Sequence, residues 1–206
     1  GTSGLTLNDS LAISAGKLSS QSGLISFGST ANLGTDGIIE IQDGTLQLSD
    51  NLSIEGGKFN LADLAELNLN NDVSITSDRA LIFGTLEMNN RNLKVTTTED
   101  AELNIKKAFN LNNASNLQLN GTNLTFSETA AIAGILEPSG GTLTFQKGGS
   151  VSGTINSKNS TLVLQTENLV YTGLLKTNSG TTLSGANLLN LSNGTLEVEG
   201  SINLDN

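Results

Sequence analysis

The sequence predicts an all-β fold, a parallel β-helix (β-solenoid) of about ten turns of roughly 20 residues with three short strands per turn. Three observations predict it. Apolar residues recur at every second position, related segments return about every 20 residues, and the segments between them are built from Asn, Asp, Ser and Gly. All 206 residues (1–206) read as a single repeat array.

The strands come first. Leu5-x-Leu7, Leu11-x-Ile13, Ile39-x-Ile41, Leu46-x-Leu48, Leu52-x-Ile54 and Phe59-x-Leu61 open a series that Leu67-x-Leu69, Val73-x-Ile75, Leu86-x-Met88 and Leu93-x-Val95 continue. Period two is the strand period, which sends one side chain inward and the next to solvent. Thr, Ser, Asn, Glu and Lys fill the intervening positions, so the outer surface is wet. Helical spacing appears only weakly, at Leu61, Leu64 and Ala65, and it runs directly into Leu67-x-Leu69. That segment reads as a corner followed by a strand.

The repeat comes next. A nine-residue pattern, two alternating apolar pairs around three polar residues, starts at Leu5, Leu46, Leu67, Leu103 and Leu196. Division of the intervals by whole turns gives values between about 18 and 21 residues. A second series, Leu124-Thr-Phe, Leu143-Thr-Phe and Leu162-Val-Leu, steps by 19 twice. Predicted inward residues include Leu46, Leu48, Leu52, Ile54, Leu67, Leu69, Val73, Ile75, Leu124, Phe126, Leu143 and Phe145. Phe126 and Phe145 share a register and should stack in the core.

The corners complete the turn. Asn8-Asp9-Ser10 and Ser49-Asp50-Asn51 are residues that bond their own backbone and tolerate turns. Longer corners carry Gly, at Asp43-Gly44-Thr45, Gly56-Gly57, Asn120-Gly121-Thr122 and Asn193-Gly194-Thr195. Asn-Gly and Asp-Gly also suit hairpins, but hairpins need no 20-residue recurrence. Stacked corner Asn side chains, bonding from coil to coil, account for an Asn count of 26. Eight Asn-x-Ser/Thr sites, including Asn8, Asn51, Asn113, Asn120, Asn123, Asn159, Asn190 and Asn193, are close to chance in such a composition and argue no glycosylation.

Composition excludes several functions. Cys 0 and His 0 remove disulfides, thiol chemistry, His-based triads and Cys/His zinc sites. A net charge of −10 repels phosphate backbones, so no nucleic-acid partner is expected. No apolar run approaches membrane-spanning length, and no membrane insertion is expected. Asp36, Glu40, Asp43, Asp50, Glu55, Asp63, Glu66 and Asp72 fall at corners and outward positions, and neither Arg79 nor Arg91 lies beside a repeated acidic pair. Catalysis is therefore not expected, and neither is a metal or any other cofactor. With Tyr171 the only Tyr and Trp 0, sugar-stacking platforms are lacking. Ice binding would want a sustained Thr-x-Thr ladder on one flat face; Thr96-Thr97-Thr98 and Thr142-Leu143-Thr144 are isolated, and in the second Leu143 is the inward residue, so ice binding fails on register.

Gly44-Thr-Leu-Gln-Leu48, Gly84-Thr-Leu-Glu-Met88, Gly141-Thr-Leu-Thr-Phe145 and Asn193-Gly-Thr-Leu-Glu-Val198 form degenerate Gly-Thr-Leu repeats. The chain resembles, over nearly its whole length, bacterial autotransporter passenger domains and filamentous-haemagglutinin-like exoproteins. The resemblance implies a right-handed solenoid on a bacterial cell surface, exported through an outer-membrane pore. It implies an extracellular structural role as stalk, surface fibre or adhesin shaft, with glycans or proteins of host or neighbouring cells as partners. The alternative is a polysaccharide-binding or polysaccharide-active β-helix whose active region lies outside this segment. Leu5-x-Leu7 and Ile202-x-Leu204 place full repeats at both termini without polar caps, so the array is expected to continue, in a longer chain or by end-to-end stacking.

Overall fold

Inward Leu, Ile, Val and Phe at every second position leave each strand with one apolar edge, and a thin coil buries that edge only by stacking on its neighbours. The computed structural model describes residues 4–98, 101–164, 169–184, 190–191, 193–199 and 201–203, and among them it contains strands and turns but no helix. Every strand pairing among these residues is parallel, so none of the Asn-Gly or Asp-Gly corners is a hairpin. The chain is a parallel β-solenoid of about nine turns of roughly 20 residues, close to the expected ten. At about 4.8 Å per coil it rises roughly 43 Å.

Three faces are climbed in turn. The first face begins with Gly4–Leu7 and Leu24–Phe27 and continues through 45–48, 66–69 and Thr85–Glu87. The second runs through 11–13, 31–33, Leu52–Ile54, Val73–Ser77 and Leu93–Thr97, then Asn116–Asn120, Ile135–Ser139, Thr154–Ser157, Leu174–Thr177 and Thr195–Val198. The third follows 15–20, 36–41, 58–61 and Leu81–Phe83, then Glu102–Ile105, Asn123–Phe126, Thr142–Phe145, Thr161–Leu164, Thr182–Ser184 and Ser201–Asn203. Steps between coils range from 19 residues (Leu124 to Leu143) to 24 (Leu93 to Leu117).

The register explains the interval arithmetic. The nine-residue pattern spans any corner: at Leu46 it turns from first face to second, at Leu103 from third to first, and at Leu196 from second to third. Intervals that begin on one face and end on another contain fractional turns, so division by whole turns runs short. The 19-residue series stays on the third face throughout, where Leu124, Leu143 and Leu162 stack in register.

Two features depart from the expected short strands and uniform stack. In the early coils the strands wrap corners without leaving the ladder, as in Leu11–Ser20, Ala31–Leu48 and Lys58–Leu69. A one-residue register shift absorbs the bend, between Ile13 and Ala15 and between Ile41 and Asp43. On the first face the ladder is interrupted: Phe109–Leu111, Ala130–Ile132, Gly149–Val151, Leu169–Tyr171 and Asn190–Leu191 form a separate five-stranded sheet. Among the described residues no ladder bond joins Thr85–Glu87 to Phe109–Leu111, whereas the other two faces run through continuously.

The core is one continuous column. All twelve predicted inward residues are buried, from Leu46 to Phe145. Phe126 packs on Phe145 at 5.1 Å between ring centroids, neighbours as the shared register predicts but with the rings tilted by 37°, and Phe109 of the first face stacks on Phe126 at 5.3 Å. Leu64 is exposed while Leu61 and Ala65 are buried, which settles that segment as corner and strand.

Candidate functional site

Outward positions carry the surface chemistry, and the parallel register turns them into columns one coil apart. On the second face Lys94 lies beside Gln118, and Gln118 beside Glu137. Two amides donate to Oε2 of Glu137, Asn116 Nδ2 and Gln118 Nε2, each at 2.9 Å, and Asn156 Nδ2 reaches Oε1 at 3.4 Å. Asn178 Nδ2 then donates to Asn156 Oδ1 at 2.8 Å. The Asn116 amide, followed by those of Gln118 and Asn156, holds the Glu137 carboxyl below the usual glutamate range, against the opposing pull of partial burial. Lys176 pairs with Glu197 at 3.7 Å further along the same column.

The corner entering this face is tied the same way. Asp72 accepts the backbone N–H of Asn92 at 2.9 Å and its side-chain amide at 3.0 Å. Asn92 Oδ1 accepts the backbone N–H of Asn116 at 3.0 Å, and one corner earlier Asn51 Oδ1 accepts that of Ser74 at 2.7 Å. The Asn92 backbone donor, then its side chain, holds the Asp72 carboxyl below its ordinary value. Between Asp72, Asn92, Lys94, Asn116 and Gln118 lies a shallow polar cavity of about 310 Å³. Lys94 is exposed, and its ammonium makes no bond to another described residue.

The acidic residues singled out from the sequence do not converge. Asp36, Asp43, Glu55, Asp63 and Asp72 are exposed, and Glu40, Asp50 and Glu66 are partly so. Lys17 bonds Glu40, while Asp43 and Asp50 each accept the N–H of the following residue at 2.7 Å. Glu66 sits one coil below Glu87, whose carboxyl is pushed up by partial burial and then by the Glu66 charge. Arg79 stands 4.0 Å from its neighbour Asp78. Asp72 lies within the field of Arg91 and lines one cavity with Lys94, but it pairs with neither, and both its oxygens are already bonded to Asn92. Among the described residues no three Asp or Glu side chains gather as a metal site would require. Tyr171 is wholly buried, its hydroxyl without a partner among the described residues and its pKa raised by that burial, so it offers no ring to a sugar.

Two columns are not evident from the sequence. Ser77, Thr97, Thr122, Ser157, Ser160, Thr177 and Thr181 are buried at the corner between the second and third faces, where an apolar residue is the natural expectation. Thr97 Oγ1 bonds the Gly121 carbonyl at 3.1 Å and Thr122 Oγ1 at 3.2 Å, and Ser160 Oγ bonds the Lys158 carbonyl at 2.9 Å. Continuation of period two in Val73-x-Ile75-x-Ser77 and Leu93-x-Val95-x-Thr97 is the signal that could have found them.

The second column corrects the expectation that the threonines are isolated. With Leu143 inward, Thr142 and Thr144 both face outward on the third face, which is the arrangement a Thr-x-Thr surface needs. In space they have neighbours: Thr142 stacks on Thr161 and Thr161 on Thr182, while Thr125 stacks on Thr144 and Thr144 on Val163. Comparisons with protein-family models, curated proteins and solved structures find no match to this chain.

Proposed function

We propose that this protein is an extracellular structural solenoid, a non-catalytic stalk, surface fibre or adhesin shaft of a bacterial cell. One observation carries this reading: the outer polar groups of the second face are bonded chiefly to the adjacent coil, from Asp72 through Asn92 and Asn116 to Glu137, Asn156 and Asn178. A wall whose side chains satisfy one another stiffens the stack and leaves little to perform chemistry. The Gly-Thr-Leu repeats that resemble autotransporter and haemagglutinin-like exoproteins supply the cell-surface setting. Adjoining solenoid coils, of the same or another chain, are the proposed end-to-end partners.

Electron microscopy of the native particle tests this reading. Thin straight projections from the cell envelope, labelled by antibody against this chain, are expected; label confined to compact particles inside the cell overturns it. A second reading, a polysaccharide-binding β-helix with its site on these coils, is favoured by the cavity at Lys94 and Gln118, where the unpaired Lys94 ammonium suits sugar hydroxyls. Glycan-array binding that Lys94→Ala and Gln118→Ala abolish together would select that alternative.

A further inference from the structure

We infer that the third face from Asn123–Phe126 to Thr182–Ser184 is an ice-binding surface, a flat hydroxyl-and-methyl array that docks on a crystalline water lattice. This stands apart from the structural role proposed above and rests on different residues.

The array is regular in two directions. Across the coils Asn123, Thr142, Thr161 and Thr182 form one column, and Thr125, Thr144 and Val163 form the next. None of these three pairings contains a register shift. Column members are about 4.8 Å apart, and positions i and i+2 along a strand about 6.7 Å apart. Both spacings fall close to the oxygen repeats on a prism face of hexagonal ice, one along each axis. A partner that uses both repeats at once is itself periodic in two dimensions, which selects a crystal surface over a soluble ligand.

The chemistry selects the crystal. Asn123, Thr125, Thr142, Thr144, Thr161, Val163 and Thr182 carry no charge, in a protein of net charge −10. The same face carries Lys17, Glu40, Lys58 and Glu102 on its earlier coils, and the second face carries Lys94, Glu137, Lys176 and Glu197. An ionic mineral would call for aligned carboxylates. Crystalline polysaccharide would call for aromatic platforms or paired amides, and the array has neither. Thr presents one hydroxyl for water and one methyl that orders water around it. Val163 keeps the branched shape, with a methyl in place of the hydroxyl.

The hydroxyls are also available and held still. Those of Thr125, Thr142, Thr144 and Thr161 bond no other described side chain or carbonyl, whereas the second face consumes its amides internally. The Thr142 backbone N–H is fixed by Asn123 Oδ1 at 2.8 Å. β-Branching restricts each Thr to few rotamers, and the buried stack of Leu124, Leu143 and Leu162 with Phe126 and Phe145 lies directly behind. A preordered surface loses little entropy on docking.

The test uses the full chain, fluorescently labelled, in an ice-growth partition assay beside an ice recrystallisation assay. The expected result is enrichment in the growing ice and inhibition of recrystallisation at micromolar protein. Thr144→Tyr with Thr161→Tyr should raise the inhibitory concentration at least tenfold, with circular dichroism and melting temperature showing the solenoid intact. Gln118→Tyr, on the second face, should leave it unchanged. If the double variant unfolds, Thr144→Ser with Thr161→Ser removes two methyls while keeping the hydroxyls, and a weakened response is still expected. Exclusion of the wild-type protein from ice overturns the proposal. So does equal loss from Gln118→Tyr, and so does retention on crystalline cellulose without enrichment in ice.

Discussion

Leu143 and Thr144 are adjacent in sequence and sit on opposite sides of a wall one residue thick, wholly buried and partly exposed respectively. Leu143→Asp strands a carboxylate in the core between Leu124 and Leu162, at a cost of several kcal/mol that neighbouring coils share. Thr144→Asp is expected to cost no more than about 0.5 kcal/mol. Thermal melts of the two variants check this, and equal losses would contradict the inside–outside assignment. Glu137 gives a pH-dependent counterpart. Its folded pKa lies below the usual glutamate value of 4.5, so its contribution is present above that value and disappears as pH falls through the folded one. Because the carboxyl is largely solvated, the contribution is no more than about 1 kcal/mol. Glu137→Gln should therefore lower the melting temperature slightly at pH 7 and not at all near pH 3, measured against wild type in the same buffers.

At the scale of strands and corners, the most restrictive device is a column of glycines between the first and second faces. A Cβ on Gly153 would lie 2.1 Å from the Gly134 carbonyl oxygen, and one on Gly173 would lie 1.9 Å from that of Gly153. Each coil meets its predecessor here by backbone alone. Gly173→Ala should destabilise by about 1–3 kcal/mol, since a backbone oxygen cannot yield as a side chain does. Gly180→Ala is a contrasting strained site, because there the conflict is with the Asn159 side chain and a φ of +78°. Chemical denaturation of Gly173→Ala, with unchanged m-value, checks the prediction. The strands themselves were legible because period two is written directly into pairs such as Leu67-x-Leu69 and Val73-x-Ile75. Corner composition announced Asn and Gly but not which Gly faces which, since that depends on coil lengths that vary from 19 to 24 residues. The threonine columns were illegible for the same reason: Thr125, Thr144 and Val163 become neighbours only once the register is known. The amide network around Glu137 gathers residues from three successive coils, so no contiguous motif announces it.

Over the whole molecule, stability is a sum of coil-to-coil terms, and those terms are unequal. From Thr142 onward each first- and third-face step is a short, unshifted ladder, while the step past Thr85–Glu87 lacks its first-face ladder altogether. Backbone bonds from Lys106 N–H to the Phe83 carbonyl at 2.9 Å and from Lys107 N–H to Gly84 at 3.0 Å hold the coils together up to that corner. Native-state hydrogen exchange should find amides of Thr85–Glu87 and Phe109–Leu111 exchanging faster than those of Thr142–Phe145; uniform protection would refute this. A rod fastened along two sides and open along the third behaves as a hinge with a fixed axis. Bending that parts the first face breaks no ladder bond there, whereas bending in any other direction must stretch a continuous sheet. A shaft assembled from such units is expected to flex first at the height where one of its three ladders is interrupted, and in the direction that parts that face.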